Sequence, residues 1–185
     1  MQGRRSAKCE VRGALQEATR AVHERLHQAP AFAAIANQHL DLRGYARLLE
    51  RIAAFHCTIG QSLELDDARP RLLARDLEVL GSPPPTPVRW SSPKTAAATL
   101  GLAYVVEGSS LGGKVIYRQL DYLFGQSPAG RQFFGGSTSD VARWRALCRD
   151  LEAEGRKPRG VDEMITGATA AFALFEQLVA PGPRA

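Results

Sequence analysis

Apolar residues recur three and four positions apart through most of this chain, and that spacing predicts helices almost from end to end. Val11, Leu15, Ala18, Val22 and Leu26 form one stripe over residues 10 to 28, the inner face of an amphipathic first helix. Pro30 follows, and a short helical turn is expected from Ala31 to Asn37. Asp41 stands where an N-cap carboxylate accepts from the amides of the next turn, opening a second long helix to about Leu65 that carries Tyr45, Leu48, Leu49, Ile52, Phe55 and Ile59. A helix from Pro70 to Leu80 is closed by Gly81, and the proline-rich run from Ser82 to Pro87 reads as loop.

Ser92-Pro93 has the form of an N-cap followed by proline at the first helical position, launching a long helix that ends near Phe124-Gly125. Ser127-Pro128 repeats the device for a shorter segment broken by Gly135-Gly136. Thr138 or Ser139 caps a helix to about Glu154, and Val161 to Val179 form the last one. Strand signals are nearly absent and no internal repeat is found. The expectation is a single all-α domain of seven or eight helices over residues 10–180, with flexible tails at 1–9 and 181–185.

The long helix from Ser92 is unusual inside. Gly108, Gly112 and Gly113 interrupt its apolar pattern, and each interior glycine costs a helix about 1 kcal/mol relative to alanine. Gly108 and Gly112 lie one turn apart on one face, so bare backbone is left where something flat or bulky can lie, or where another helix can pack closely. Ser109 and Ser110 keep the profile low, and their hydroxyls can bond to carbonyls of the preceding turn, which bends helices. The pattern predicts a kinked, glycine-lined helix.

With 185 residues the chain can bury a core without staples. Its three cysteines, Cys9, Cys57 and Cys148, are scattered with no CxxC pair, as expected of reduced thiols in a cytoplasm. Neither an export signal nor a membrane-spanning run is found. The net charge of +5 is mostly arginine, and residues 143 to 159 hold six basic side chains against three acidic ones, which favours an anionic partner. Nucleic-acid motifs are missing, whereas a small anion needs only two or three arginines.

Two chemistries converge on the first helix. His23-Glu24-Arg25-Leu26-His27 satisfies the HExxH pattern of zinc hydrolases, with His39, Asp41 or Glu50 as candidate third ligands. The extended HxxGxxH continuation is missing, because Pro30 and Ala33 stand where its glycine and final histidine belong. Alternatively His23 acts alone, its imidazole carried inward beside Val22 and Leu26 either as an ordinary hydrogen-bonded core histidine or as a single axial ligand of the kind that holds haem iron. His39 and His56 have no supporting constellation and read as structural.

Ala18-Thr19-Arg20-Ala21-Val22-His23, followed some eighty residues later by Tyr104-Val105-Val106-Glu107-Gly108-Ser109-Ser110-Leu111-Gly112-Gly113, resembles bacterial haem oxygenase, particularly the type associated with bacteriophytochromes. The resemblance continues through Phe133-Phe134-Gly135 and Arg143-Trp144-Arg145 to Phe172, covering nearly the whole chain. It implies haem sandwiched between the first helix and a kinked glycine-rich distal helix in a single-domain helical fold. His23 matches the iron ligand and Gly108, Ser109 and Gly112 the catalytic distal surface. Arg145 and Arg149, with Arg20 as a weaker candidate, match positions that hold the propionates, and Phe133, Phe134 and Phe172 match residues packed on the porphyrin or the distal wall.

The activity implied is oxygen- and reductant-dependent cleavage of haem, both cofactor and substrate, at a meso carbon to biliverdin, carbon monoxide and ferrous iron. A ferredoxin or reductase would donate the electrons, and a bacteriophytochrome could receive the biliverdin. A non-catalytic haem carrier of the same fold is the alternative. Two positions depart from relatives: His27 replaces a glutamate one turn after the proximal histidine, and Ser109 replaces a distal aspartate.

Overall fold

The computed structural model describes residues 10–63 and 68–180, so Cys9 and both expected tails lie outside the described residues. Among the described residues nine helices follow one another: α1 (Glu10–His27), α2 (Pro30–Ala36), α3 (Leu42–Gly60), α4 (Ala68–Val79), α5 (Ala96–Gln119), α6 (Asp121–Phe124), α7 (Gln132–Gly135), α8 (Asp140–Glu154) and α9 (Gly160–Val179). No strand occurs among them, in keeping with the all-α expectation, and none is long and apolar enough to cross a membrane.

The predicted Asp41 cap is present: its Oδ1 accepts from the Gly44 amide at 2.7 Å. The helix it opens ends at Gly60, earlier than the apolar pattern suggested. The start of α5 also needs correcting. Thr95, rather than Ser92, is its N-cap, accepting from the Ala98 amide at 3.2 Å, while the Ser92 hydroxyl turns to the Pro93 carbonyl. At the other end α5 stops at Gln119, and the apolar residues up to Phe124 belong to the separate turn α6, ended by Gly125 at φ 55°. Ser127-Pro128 starts no helix; α7 begins at Gln132, where the buried Asp76 carboxylate accepts from the amides of Gln132 (2.9 Å) and Phe133 (2.7 Å). Arg131, almost fully buried, ties this loop down by donating to the carbonyls of Ser127, Tyr117 and Gly125.

Two hydrophobic clusters form the core. One joins α1, α5, α8 and α9 around Leu15, Leu102, Leu151 and Met164; the other joins α2, α3, α4 and α7 around Ile35, Tyr45, Leu49 and Phe133. Phe172, Phe175 and Leu178 of α9 pack against both, which makes α9 the central spine. Its crossing with α5 is extensive and depends on absent side chains: a methyl at Gly101 would strike the Met164 carbonyl, and one at Gly167 the Ala98 carbonyl. Such close backbone approach is open only to glycine.

Candidate functional site

Because α9 packs against both α1 and α5, those two helices stand on it as walls, with little direct contact between them. They approach at Tyr104, whose phenol lies beside Thr19 and Arg12 and is pushed above its ordinary pKa by burial, with Arg12 opposing. One turn further along each helix come His23 and Gly108. His23 is in line with Leu15 and Thr19, as the inward stripe requires, and its ring stands edge-on to Phe172 at 6.3 Å. It is not sealed in the core as expected, however: it is exposed, although Leu26 in the next turn of α1 is buried. His27 lies 4.6 Å away, also edge-on. Partial burial, then repulsion from His27, lowers the His23 pKa, with Glu24 opposing. The imidazole is thus kept neutral, with a lone pair available to a metal or a proton.

Beyond Gly108 one face of α5 is exposed in a helix whose first half is largely covered. Leu111 and Val115 are 49% and 58% exposed, and with Gly108 and Gly112 they form an i, i+3, i+4, i+7 stripe of apolar side chains and bare backbone. A methyl on Gly112 would meet nothing within 4 Å, whereas one on Gly108 would lie 3.4 Å from the Trp144 ring of α8. Gly113 serves packing instead: a methyl there would sit 2.8 Å from the Phe134 carbonyl. Ser109 and Ser110 donate to the carbonyls of Val106 (2.7 Å) and Glu107 (2.6 Å), while α5 stays helical throughout. Ser109 is exposed and Ser110 buried.

Arg145 and Arg149 are both exposed one turn apart on α8, and neither is paired with a described residue. Arg20 is exposed and occupied by an ion pair with Glu17. Of the three phenylalanines expected at the site, only Phe172 touches His23. Phe133 and Phe134 are 3% and 4% exposed; Phe133 packs on His56 and Arg69, and Phe134 supports α5 from behind at Gly113. Among the described residues no group of three His, Cys, Asp or Glu side chains could hold a metal, so His39, Asp41 and Glu50 do not complete an HExxH zinc site. Surface depressions of about 390 Å³ beside Lys114 and Arg118, and about 410 Å³ beside Arg47 and Arg51, are not lined by His23, Phe172 or the Gly108–Gly112 stripe.

Behind the stripe lies a charged cluster that pattern reading missed. Glu107, 7% exposed, receives the Arg143 Nε at 3.2 and 3.3 Å from its two oxygens. Arg143 also donates to Asp140 Oδ1 (2.5 Å) and Ser139 Oγ (2.6 Å), and Arg69 Nη1 stands 4.0 Å from Asp140 Oδ2. The one available signal was Glu107 itself, a carboxylate on the apolar face of a buried helix, where charge persists only if paired.

No protein-family model matches the chain. It is 31% identical over 163 residues to a protein from Xanthomonas campestris pv. campestris (strain 8004) named heme oxygenase, covering 82% of this chain and 98% of that one. The fold superposes with a TM-score of 0.69 on the crystal structure of the NO- and CO-bound heme oxygenase from Neisseria meningitidis, covering 92% of each chain at 22% identity. The second match speaks to the fold alone; the first, at that identity along almost the full length of the relative, shows that the chain belongs to the haem oxygenase family.

Proposed function

We propose that this protein binds haem in the cleft between α1 and α5 and cleaves it at a meso carbon, releasing biliverdin, carbon monoxide and ferrous iron. The reading is supported most directly by the conjunction of an accessible, neutral imidazole at His23 with open backbone at Gly112 on the neighbouring helix. A flat porphyrin fits this donor set: one nitrogen ligand, a phenyl floor at Phe172, bare backbone at Gly112 and two uncommitted guanidiniums for the propionates. Haem, when bound, supplies the iron that activates oxygen and the ring that is opened.

The chain's own groups orient and exclude. His23 would hold the haem iron, Arg145 and Arg149 would hold the propionates, and the Gly108–Gly112 surface would limit access to the ring edge. Ser109 stands at the distal surface with its hydroxyl proton given to the Val106 carbonyl, so its oxygen is free to accept a hydrogen bond. No strong acid stands on the exposed stripe, which consists of Gly108, Leu111, Gly112 and Val115 with Ser109 beside it. Electrons come from an external ferredoxin or reductase, for which an arginine-rich surface suits an acidic partner. A cytoplasmic location and delivery of biliverdin to a bacteriophytochrome complete the proposal.

A haemin titration of the purified protein beside His23→Ala, followed by ascorbate under air, tests it. A one-to-one Soret complex that depends on His23 and decays to biliverdin is expected. A stable complex would make the protein a haem carrier, and absence of binding would refute the cleft assignment.

A further inference from the structure

The buried cluster of Glu107, Arg143 and Asp140 joins α5, which carries the glycine surface of the proposed site, to α8, which carries its two arginines. Glu107 directly precedes Gly108 on α5, and Arg143 directly precedes Trp144 and lies two residues before Arg145 on α8. The Arg143 guanidinium grips both Glu107 oxygens, and its other nitrogens are taken by Asp140 and Ser139 at the start of its own helix. Asp140 is fixed in turn by the Ser137 amide, which donates to its Oδ2 at 2.9 Å. Arg69 of α4 lies against the Phe133 ring, with Nε and Nη1 buried and lacking hydrogen-bond partners, so Asp140 and Glu107 supply its nearest compensating charge.

Two acids and two bases in a shielded space hold one another strictly, because displacing any member leaves a buried charge without compensation. A sliding apolar contact has no such register. We propose that Glu107 is a positioning residue for haem cleavage: held by Arg143, its carboxylate locks the glycine surface of α5 to the helix bearing Arg145 and Arg149. This inference rests on the haem reading above. His23 alone would hold the iron of a bound haem without setting the ring's rotation. Which meso carbon is opened would then follow from the relative position of the α5 surface and the α8 arginines, which the ion pair fixes. Glu107 itself touches neither haem nor oxygen.

The test uses the full-length chain, comparing wild type with Glu107→Gln, which keeps shape and removes charge, and Glu107→Asp, which keeps charge on a shorter arm. In haemin-loaded Glu107→Gln the ratio of biliverdin isomers is expected to shift by about threefold or more, with partial return in Glu107→Asp. Without haem, amides of residues 108–112 should exchange about tenfold faster than in wild type while those of 160–179 keep their protection. A wild-type isomer ratio with wild-type exchange overturns the proposal, as does a uniform loss of protection, which would mean a merely structural role. If Glu107→Gln fails to fold, Arg143→Lys carries the same readouts, since it keeps the charge but loses the fork. Failure of the wild type to bind haemin would instead refute the haem reading, and exchange would still report the α5–α8 coupling.

Discussion

Adding one methyl to α5 should move stability and haem binding in opposite directions. At Gly112 the new Cβ meets no atom within 4 Å, so Gly112→Ala has no steric penalty in the haem-free protein. It gains the helix preference of alanine over glycine, about 1 kcal/mol, partly by restricting the unfolded chain. For a domain of this size that corresponds to a melting temperature about 2–4 °C higher. The same methyl would project into the space assigned to the porphyrin, and overpacking a close contact costs about 1–3 kcal/mol, roughly five- to 150-fold in haemin affinity. Gly113→Ala is the internal control: its methyl falls 2.8 Å from the Phe134 carbonyl, a backbone atom that cannot swing away, so this variant should melt lower. Scanning calorimetry of the haem-free proteins and haemin titration of each supply the numbers. A stabilised Gly112→Ala that binds and degrades haem like wild type would refute the assignment of this surface, and a destabilised one would refute the open space itself.

Replacing both Arg145 and Arg149 by alanine should leave the unfolding free energy within about 1 kcal/mol of wild type, since both are exposed and unpaired with described residues. Haemin retention should fall or the biliverdin isomer mixture change; if neither does, these arginines are not the propionate clamps. His27→Ala removes a repulsion that lowers the His23 pKa, so that pKa should rise and proton competition for the imidazole begin at higher pH, as NMR titration of the His23 ring would register. His56 is buried and neutral, its pKa lowered from 6.5 to about 3 by burial and by Arg69. The unfolded chain therefore binds its proton first, and stability falls with pH between 6.5 and about 3, by about 2 kcal/mol already at pH 5. Denaturant titrations at pH 7 and pH 5 should show this loss reduced in His56→Gln.

Periodicity and caps made α1, α3 and α9 readable, because each buries a single stripe and each boundary has a local cause such as the Asp41 cap. The errors fell where tertiary contacts decide. Apolar residues continue past Gln119 although the backbone turns there, and Arg131 draws residues 125–131 into a loop that serine and proline alone mark as a helix start. Motif order pointed to His23, Phe172 and the glycine helix, and the structure puts the His23 and Phe172 rings edge-on at 6.3 Å. Motif order could not distinguish Gly112, which faces open space, from Gly101, Gly113 and Gly167, which admit neighbouring backbone. Nor could it find Glu107, Arg143, Asp140 and Arg69 in one cluster, since four residues from three helices share no local pattern. The aromatic pair Phe133-Phe134 likewise carries no local mark of its burial, which comes from packing beside His56, Arg69 and the α5 backbone at Gly113.

These distinctions explain how α5 can hold a surface that weakens it. Gly108 and Gly112 each forgo about 1 kcal/mol of helix stability, and the serine back-bonds between them favour bending. A solvated helix with that sequence would fray, because helical stability in proteins comes mainly from tertiary packing. Here the weak span is short and held on both sides: Gly101 is wedged against α9 and Glu107 clasped by Arg143 before it, and Gly113 is pressed on the α7 backbone after it. Between those anchors α5 can leave bare backbone at Gly108 and Gly112 without unwinding. The glycines that pack and the glycines that do not are therefore parts of one arrangement. A substitution at either kind should impair the cleft, the first by moving the helix and the second by filling the space in front of it.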